Sequence, residues 1–292
     1  MTQKPFVHSF FDKNTFTISH LVADPVTKHA AIIDSVLDFD PVNGKLSQES
    51  ADRILEVVQK EGYTVDWILE THAHADHVTA AQYLKGTLGG KVAIGERITE
   101  VQAIFAKAFH FSKEFPINGS QFDRLWKDGE TFTIGSLEGR VIATPGHTPA
   151  DVSYLIGDAL FVGDTIFMPD YGTARCDFPG GNAGVLFDSI RTLYALPHET
   201  RVFLCHDYLP LSRKEYRWET TILDQKLGNI HVPENQEKTA FTQMREERDR
   251  TLGMPRLIIP SIQINIRAGA LPESEEDGTV YLKVPVNSVF AK

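Results

Sequence analysis

Residues 71–80, THAHADHVTA, place His72, His74, Asp76 and His77 within six consecutive positions, directly after VDWILE, which reads as a buried strand. Neutral imidazole and carboxylate suit borderline divalent metals such as zinc, iron and manganese, and without an ion these groups have little reason to cluster. If residues 65–75 run extended, the two-residue period projects positions 72, 74 and 76 from one face. The segment thus constrains the fold: a strand must deliver its carboxyl end to a polar pocket, as ligand sites of α/β sheets require.

The rest of the chain repeats the motif of a β run ending in a ligand-type residue. Extended runs are expected at 6–12, 15–22 and 29–35, and a helix at 50–61, where Ala51, Ile54, Leu55 and Val58 share a face and Ser50 is the expected N-cap. After the histidine cluster come a helix at 78–88, a strand at 91–95 and a helix at 96–109. Strands return at 130–136, 139–148, 151–157, 159–165 and 201–208, with a helix at 184–196, so His147, Asp164 and His206 each close a β-rich run. The pattern turns polar around Pro210–Glu215, predicting a core over 1–210 and, over 211–292, a C-terminal extension packed on it. That extension holds a charged helix near 237–251 and the alternating segment 261–269, SIQINIRAG.

Charge and cysteine content narrow the function. A formal net charge of −10 without a basic run argues against a nucleic-acid binder. The first residues lack the apolar core of a signal peptide and no apolar run approaches a membrane span, so the expectation is a cytoplasmic protein. Only Cys176 and Cys205 are present, without a CxxC; this excludes a thiolate zinc ribbon, and both are expected to be small buried residues, with Cys205 facing away from His206.

Taken in order, THAHADH, PGHT, GDT and HD resemble the metallo-β-lactamase superfamily, over about residues 7–210. The resemblance implies an α/β fold, an αββα sandwich with the metal site at one edge. In glyoxalase II and other dinuclear thioester hydrolases the pattern assigns His72, His74 and His147 to one metal, Asp76, His77 and His206 to the other, and Asp164 as the bridge. Two further segments, DYGTARCDF at 170–178 and the tail 241–269, instead resemble persulfide dioxygenase, the ethylmalonic-encephalopathy type, and with the insertion 38–50 its bacterial branch. That likeness implies one Fe(II) per chain on His72, His147 and Asp164, with His74, Asp76, His77 and His206 as outer groups. It further implies oxidation of glutathione persulfide by O2 to sulfite and glutathione, in sulfide detoxification. Glutathione carries two carboxylates, so Arg175, Tyr208, Asn265 and Arg267 are the expected substrate-binding residues. A non-catalytic binding module on the same fold is the remaining alternative, and a homodimer is the expected assembly.

Overall fold

The structure, a computed structural model, describes residues 4–287. The first half runs β1 (Phe6–Asp12), β2 (Thr17–Ala23), β3 (His29–Ile33), β4 (Val36–Asp40), β5 (Lys45–Ser47) and α1 (Glu49–Glu61). It continues with β6 (Thr64–Leu69), β7 (Val78–Thr79), α2 (Ala81–Leu88), β8 (Lys91–Gly95), α3 (Ile98–Ala108) and β9 (Arg124–Trp126). The second half holds β10 (Thr131–Ile134), β11 (Leu137–Ala143), β12 (Val152–Ile156), β13 (Ala159–Phe161), α4 (Ala183–Tyr194) and β14 (Arg201–Phe203). The chain ends with β15 (Glu219–Thr221), α5 (Ile222–Gly228), α6 (Lys238–Asp249) and α7 (Ile258–Asn265).

Two six-stranded sheets, ordered β1-β2-β3-β6-β8-β9 and β10-β11-β12-β13-β14-β15, form the centre, and β5-β4-β7 make a small third sheet. The layering follows from strand periodicity. On β3, Ala30 and Ile32 face the helices whereas Ala31 and Ile33 face the opposite sheet, and on β8 Val92 and Ile94 alternate in the same way with Ala93. On β13 and β14, Leu160 and Val202 face α4, while Phe161 and Phe203 fill the space between the sheets. The result is the expected αββα sandwich, with α1, α2, α3 and α7 outside one sheet and α4, α5 and α6 outside the other.

Strand direction brings the strand ends to one edge. β3 and β6 pair in parallel, so Asp34 and Thr71 leave the first sheet side by side. β13 and β14 also pair in parallel, and β11, two antiparallel steps from β13, shares their direction, so the turns after all three meet at one rim. A bridge between Thr17 and His206 joins the two sheets there.

Several local expectations change. The N-terminus of α1 is held by Asp38 of β4, which accepts from Ser50 N and Ser50 Oγ, both at 2.8 Å; Ser50 therefore lies inside the first turn and is not the cap. The alternating segment 261–269 enters a helix, α7, through Asn265. Ile258, Ile262 and Ile266 recur every four residues, and that spacing buries one face of α7 on the first sheet's helix layer. The alternation of Ile262, Ile264 and Ile266 fits either period, and packing decided between them. The boundary expected near residue 210 falls between β14 and β15, neighbours in one sheet. Among the described residues no helix is long and apolar enough to cross a membrane.

Candidate metal centre

β6 stops at Leu69, so residues 72–77 form a loop and the expected two-residue alternation does not operate there. Hydrogen bonds shape the loop instead. Asp34, at φ 50°, accepts from Thr71 N at 2.8 Å, Thr71 Oγ1 at 2.9 Å and His74 Nε2 at 2.9 Å. Glycines allow close approach elsewhere on the rim: Gly163, at φ +50°, has its missing Cβ position 2.4 Å from Thr71 Oγ1, and Gly146, at φ +145°, would meet the Leu186 backbone.

The hydrogen bonds determine which nitrogen of each ring carries its proton. His147 Nδ1 donates to Arg175 O at 2.7 Å and His206 Nδ1 donates to Phe16 O at 3.2 Å, because a carbonyl only accepts. Thr71 Oγ1 spends its proton on Asp34, so it accepts from His72 Nδ1 at 3.1 Å. Thr15 Oγ1 donates to Asp12, Thr17 Oγ1 donates to Thr15 Oγ1, and Thr17 is left to accept from His77 Nδ1 at 3.3 Å. His74 donates through Nε2 to Asp34. All five rings thus point a proton outward and a lone pair inward.

His72 Nε2, His74 Nδ1, His77 Nε2, His206 Nε2, Asp76 Oδ2 and Asp164 Oδ1 are buried without any hydrogen-bond partner. Asp76 Oδ2 lies 3.2 Å and Asp164 Oδ1 3.4 Å from His206 Nε2, but neither contact has hydrogen-bond geometry. Bare buried acceptors converging this way are costly unless an ion takes them up, so the residues fit a metal. The donors form overlapping sets whose ligand atoms lie within 4.8 Å of one another, among them His72 with His147 and Asp164, His74 with Asp76, His77 and His206, and Asp164 with Cys205 and His206. Burial holds the His72 and His74 rings well below the ordinary imidazole range, reinforced by neighbouring histidines, which keeps their lone pairs available. Burial raises the Asp164 carboxyl against the pull of His206 and His147; at Asp76 burial works the same way, but His206, His77 and His74 outweigh it and hold that carboxyl low.

A cavity of about 470 Å³ opens onto this centre, lined at the metal end by Asp76, His147 and Asp164. Of the expected substrate-binding residues, Arg175 and Tyr208 line it. Arg175 is engaged by Asp177, at 2.5 and 2.8 Å, and by Gly253 O at 2.6 Å, so it braces its own loop. Tyr208 stacks on His206 and stays a neutral phenol, because burial and then Asp76 and Asp164 raise its pKa. Asn265 and Arg267 do not reach the cavity. Asn265 is buried under the histidine loop, where Nδ2 donates to His74 O and His77 O, both at 2.8 Å, and Oδ1 accepts from Thr79 N at 3.0 Å. Arg267 lies over the rings of Phe111 and Phe115, and burial lowers its pKa to about 10.

The sequence reading missed Tyr171, His231, Arg245, Arg248 and Arg256, which line the cavity from the segment after Asp164 and from the C-terminal region. The arginine-rich stretch 245–256 was the available signal. Cys176 is buried, as expected, and burial pushes its thiol well up, so it is not a thiolate nucleophile. Cys205 is buried too, but it does not face away from His206: its sulfur lies within 4.8 Å of ligand atoms of Asp164 and His206.

The model of the metallo-beta-lactamase superfamily matches residues 19–206. The chain is 50% identical over 287 residues to a beta-lactamase hydrolase-like protein of Xylella fastidiosa (strain 9a5c), covering 98% of this chain but only 66% of that relative's length. A more remote relative is the mitochondrial persulfide dioxygenase ETHE1 of Homo sapiens, 25% identical, with 79% of this chain and 84% of that protein aligned. The crystal structure of ETHE1 from Myxococcus xanthus superposes with a TM-score of 0.72 at 30% identity, covering 91% of this chain and all of that one.

Proposed function

This chain belongs to the metallo-β-lactamase superfamily, and on that premise we propose that it is a persulfide dioxygenase, holding one Fe(II) per chain on His72, His147 and Asp164. The observation that carries the reading is the compact group of two histidines and one carboxylate, two of whose members, His147 and Asp164, face the cavity. Likeness to the ETHE1 proteins supports it. Ferrous iron bound by such a group would supply the redox chemistry that joins O2 to sulfur. Glutathione persulfide, O2 and water would give glutathione, sulfite and two protons.

The chain's own residues prepare the centre. Arg175 O and the Asp34–Thr71 pair hold the rings of His147 and His72 with Nε2 toward the centre. His206 Nε2 stands 3.2 Å from Asp76 Oδ2 and 3.4 Å from Asp164 Oδ1, beside the carboxylate that would hold the iron. Phe167, Tyr171 and Tyr208 form an aromatic wall that limits water at the sulfur-binding end.

The test is oxygen consumption by protein reconstituted anaerobically with Fe(II), on adding glutathione persulfide, with a zinc-loaded sample as control. Uptake matched by sulfite and absent with zinc is expected. No uptake from verified iron-loaded protein would overturn the reading in favour of a dinuclear thioester hydrolase. That second reading draws on the bare atoms of Asp76, His77 and His206, which could hold another ion, and on that of His74, which would join His72 and His147.

A further inference from the structure

Although the chain carries a formal charge of −10, four arginines line the cavity against two aspartates, and no lysine does. Two of the four are already committed. Arg245 is buried and binds Asp249 at 2.6 and 2.9 Å and Thr173 O at 3.2 Å; Arg175 is held by Asp177 and Gly253 O. Arg248 and Arg256 are exposed, and among the described residues neither guanidinium has an ion-pair or hydrogen-bond partner.

His231 stands on the same wall. Thr173 N donates to its Nδ1 at 3.0 Å, and burial, with Arg245 and Arg248, lowers its pKa to about 4. A neutral imidazole accepting at Nδ1 carries its proton on Nε2, so His231 offers a donor and no acceptor at that nitrogen.

Resting on the reading of a thiol-derived substrate, we propose that Arg248 and Arg256, assisted by His231, form a carboxylate-recognition wall that selects persulfides of carboxylate-bearing thiols over neutral ones. The physical reason is complementarity: planar guanidinium groups pair with carboxylates in a two-pronged geometry, and neither must first break an internal ion pair to do so. The metal end reads the sulfur, and the wall reads the other end of the molecule. These two arginines come from α6 and from the connection between α6 and α7, so substrate choice lies in the C-terminal region while the metal donors lie in the strand-end loops.

Calorimetric titration of zinc-loaded protein with glutathione and with its diethyl ester tests this, because the ester keeps the thiol and masks both carboxylates. Glutathione should bind the parent protein at least about tenfold more tightly than the ester. R248Q and R256Q should each weaken glutathione about tenfold and leave the ester unchanged, and R256K should recover part of the loss. Equal binding of both ligands, no binding of glutathione, or parallel losses for both ligands in the variants would overturn the proposal. The dioxygenase reading fails separately: glutathione binding that depends on Arg248 and Arg256, without oxygen uptake, removes the reaction and leaves the wall. Equal Michaelis constants for glutathione persulfide and hydroxyethyl persulfide remove the wall and leave the reaction.

Discussion

Replacing Asn265 tests how far the histidine loop depends on α7. Its amide makes three buried hydrogen bonds, donating to His74 O and His77 O and accepting from Thr79 N. The two carbonyls bracket the turn that carries Asp76, and a flipped amide would set its oxygen against both of them, so one orientation is enforced. Asn265→Ala strands two acceptors and one donor. At about 1–3 kcal/mol for each buried group left unpaired, and allowing for a water entering the void, the loss is about 3–6 kcal/mol. That is a large share of the roughly 5–15 kcal/mol that holds an ordinary domain together. Asn265→Asp keeps the acceptor for Thr79 N but turns two donors into lone pairs facing carbonyls, so it should be no better than alanine. Urea unfolding of the metal-free proteins measures the stability term. Chelator competition with Zn²⁺ measures the second consequence, an affinity about 10- to 100-fold weaker once the loop is released, as for other groups that orient metal ligands. An Asn265→Ala protein within about 0.5 kcal/mol of the parent, with unchanged zinc affinity, would refute the reasoning.

Other perturbations follow from the same geometry. Arg245→Met leaves Asp249 buried without its guanidinium partner, and urea unfolding should register a loss of about 3–5 kcal/mol; a loss under about 1 kcal/mol would show the pair to be dispensable. His20 is buried, donates to Leu204 O at 3.0 Å, and burial holds its pKa at about 4 against an ordinary 6.5. The unfolded chain therefore takes up that proton first, so stability is full above pH 6.5, falls as pH drops toward 4 and then levels. The gap corresponds to about 3 kcal/mol, and His20→Gln should flatten that part of the stability profile; an unchanged profile would show that His20 is not its source. Removing metal with a chelator should lower the unfolding free energy by about 2.7 kcal/mol where the ion had stood at a hundred times its Kd, and no shift in Tm would mean that the centre does not bind it. Cys176→Ser should keep metal content and oxygen uptake, since the thiol is buried and protonated; loss of uptake with metal retained would give the thiol a role in the reaction.

Much of the centre was legible in the chain because ligand chemistry is a property of residue types. His72, His74, Asp76, His77, His147, Asp164 and His206 were readable as one constellation since each follows a β run, and the resemblance that the same residues carry to the metallo-β-lactamase superfamily implied the two-sheet sandwich. Parallel pairing of β3 with β6 and of β13 with β14 then brought these strand ends to one rim. Other features depended on contacts between residues far apart in sequence, which no local pattern carries. Whether SIQINIRAG became strand or helix was ambiguous in its own alternation and was decided by burial of Ile258, Ile262 and Ile266. Asn265 as a loop clamp and Asp34 as the acceptor that sets the His74 tautomer arise from three-dimensional hydrogen bonding. The same holds for the arginines. Sequence shows that Arg175, Arg245, Arg248 and Arg256 are cations, but only the tertiary structure determines which have their charge met by Asp177 and Asp249 and which remain available to a ligand.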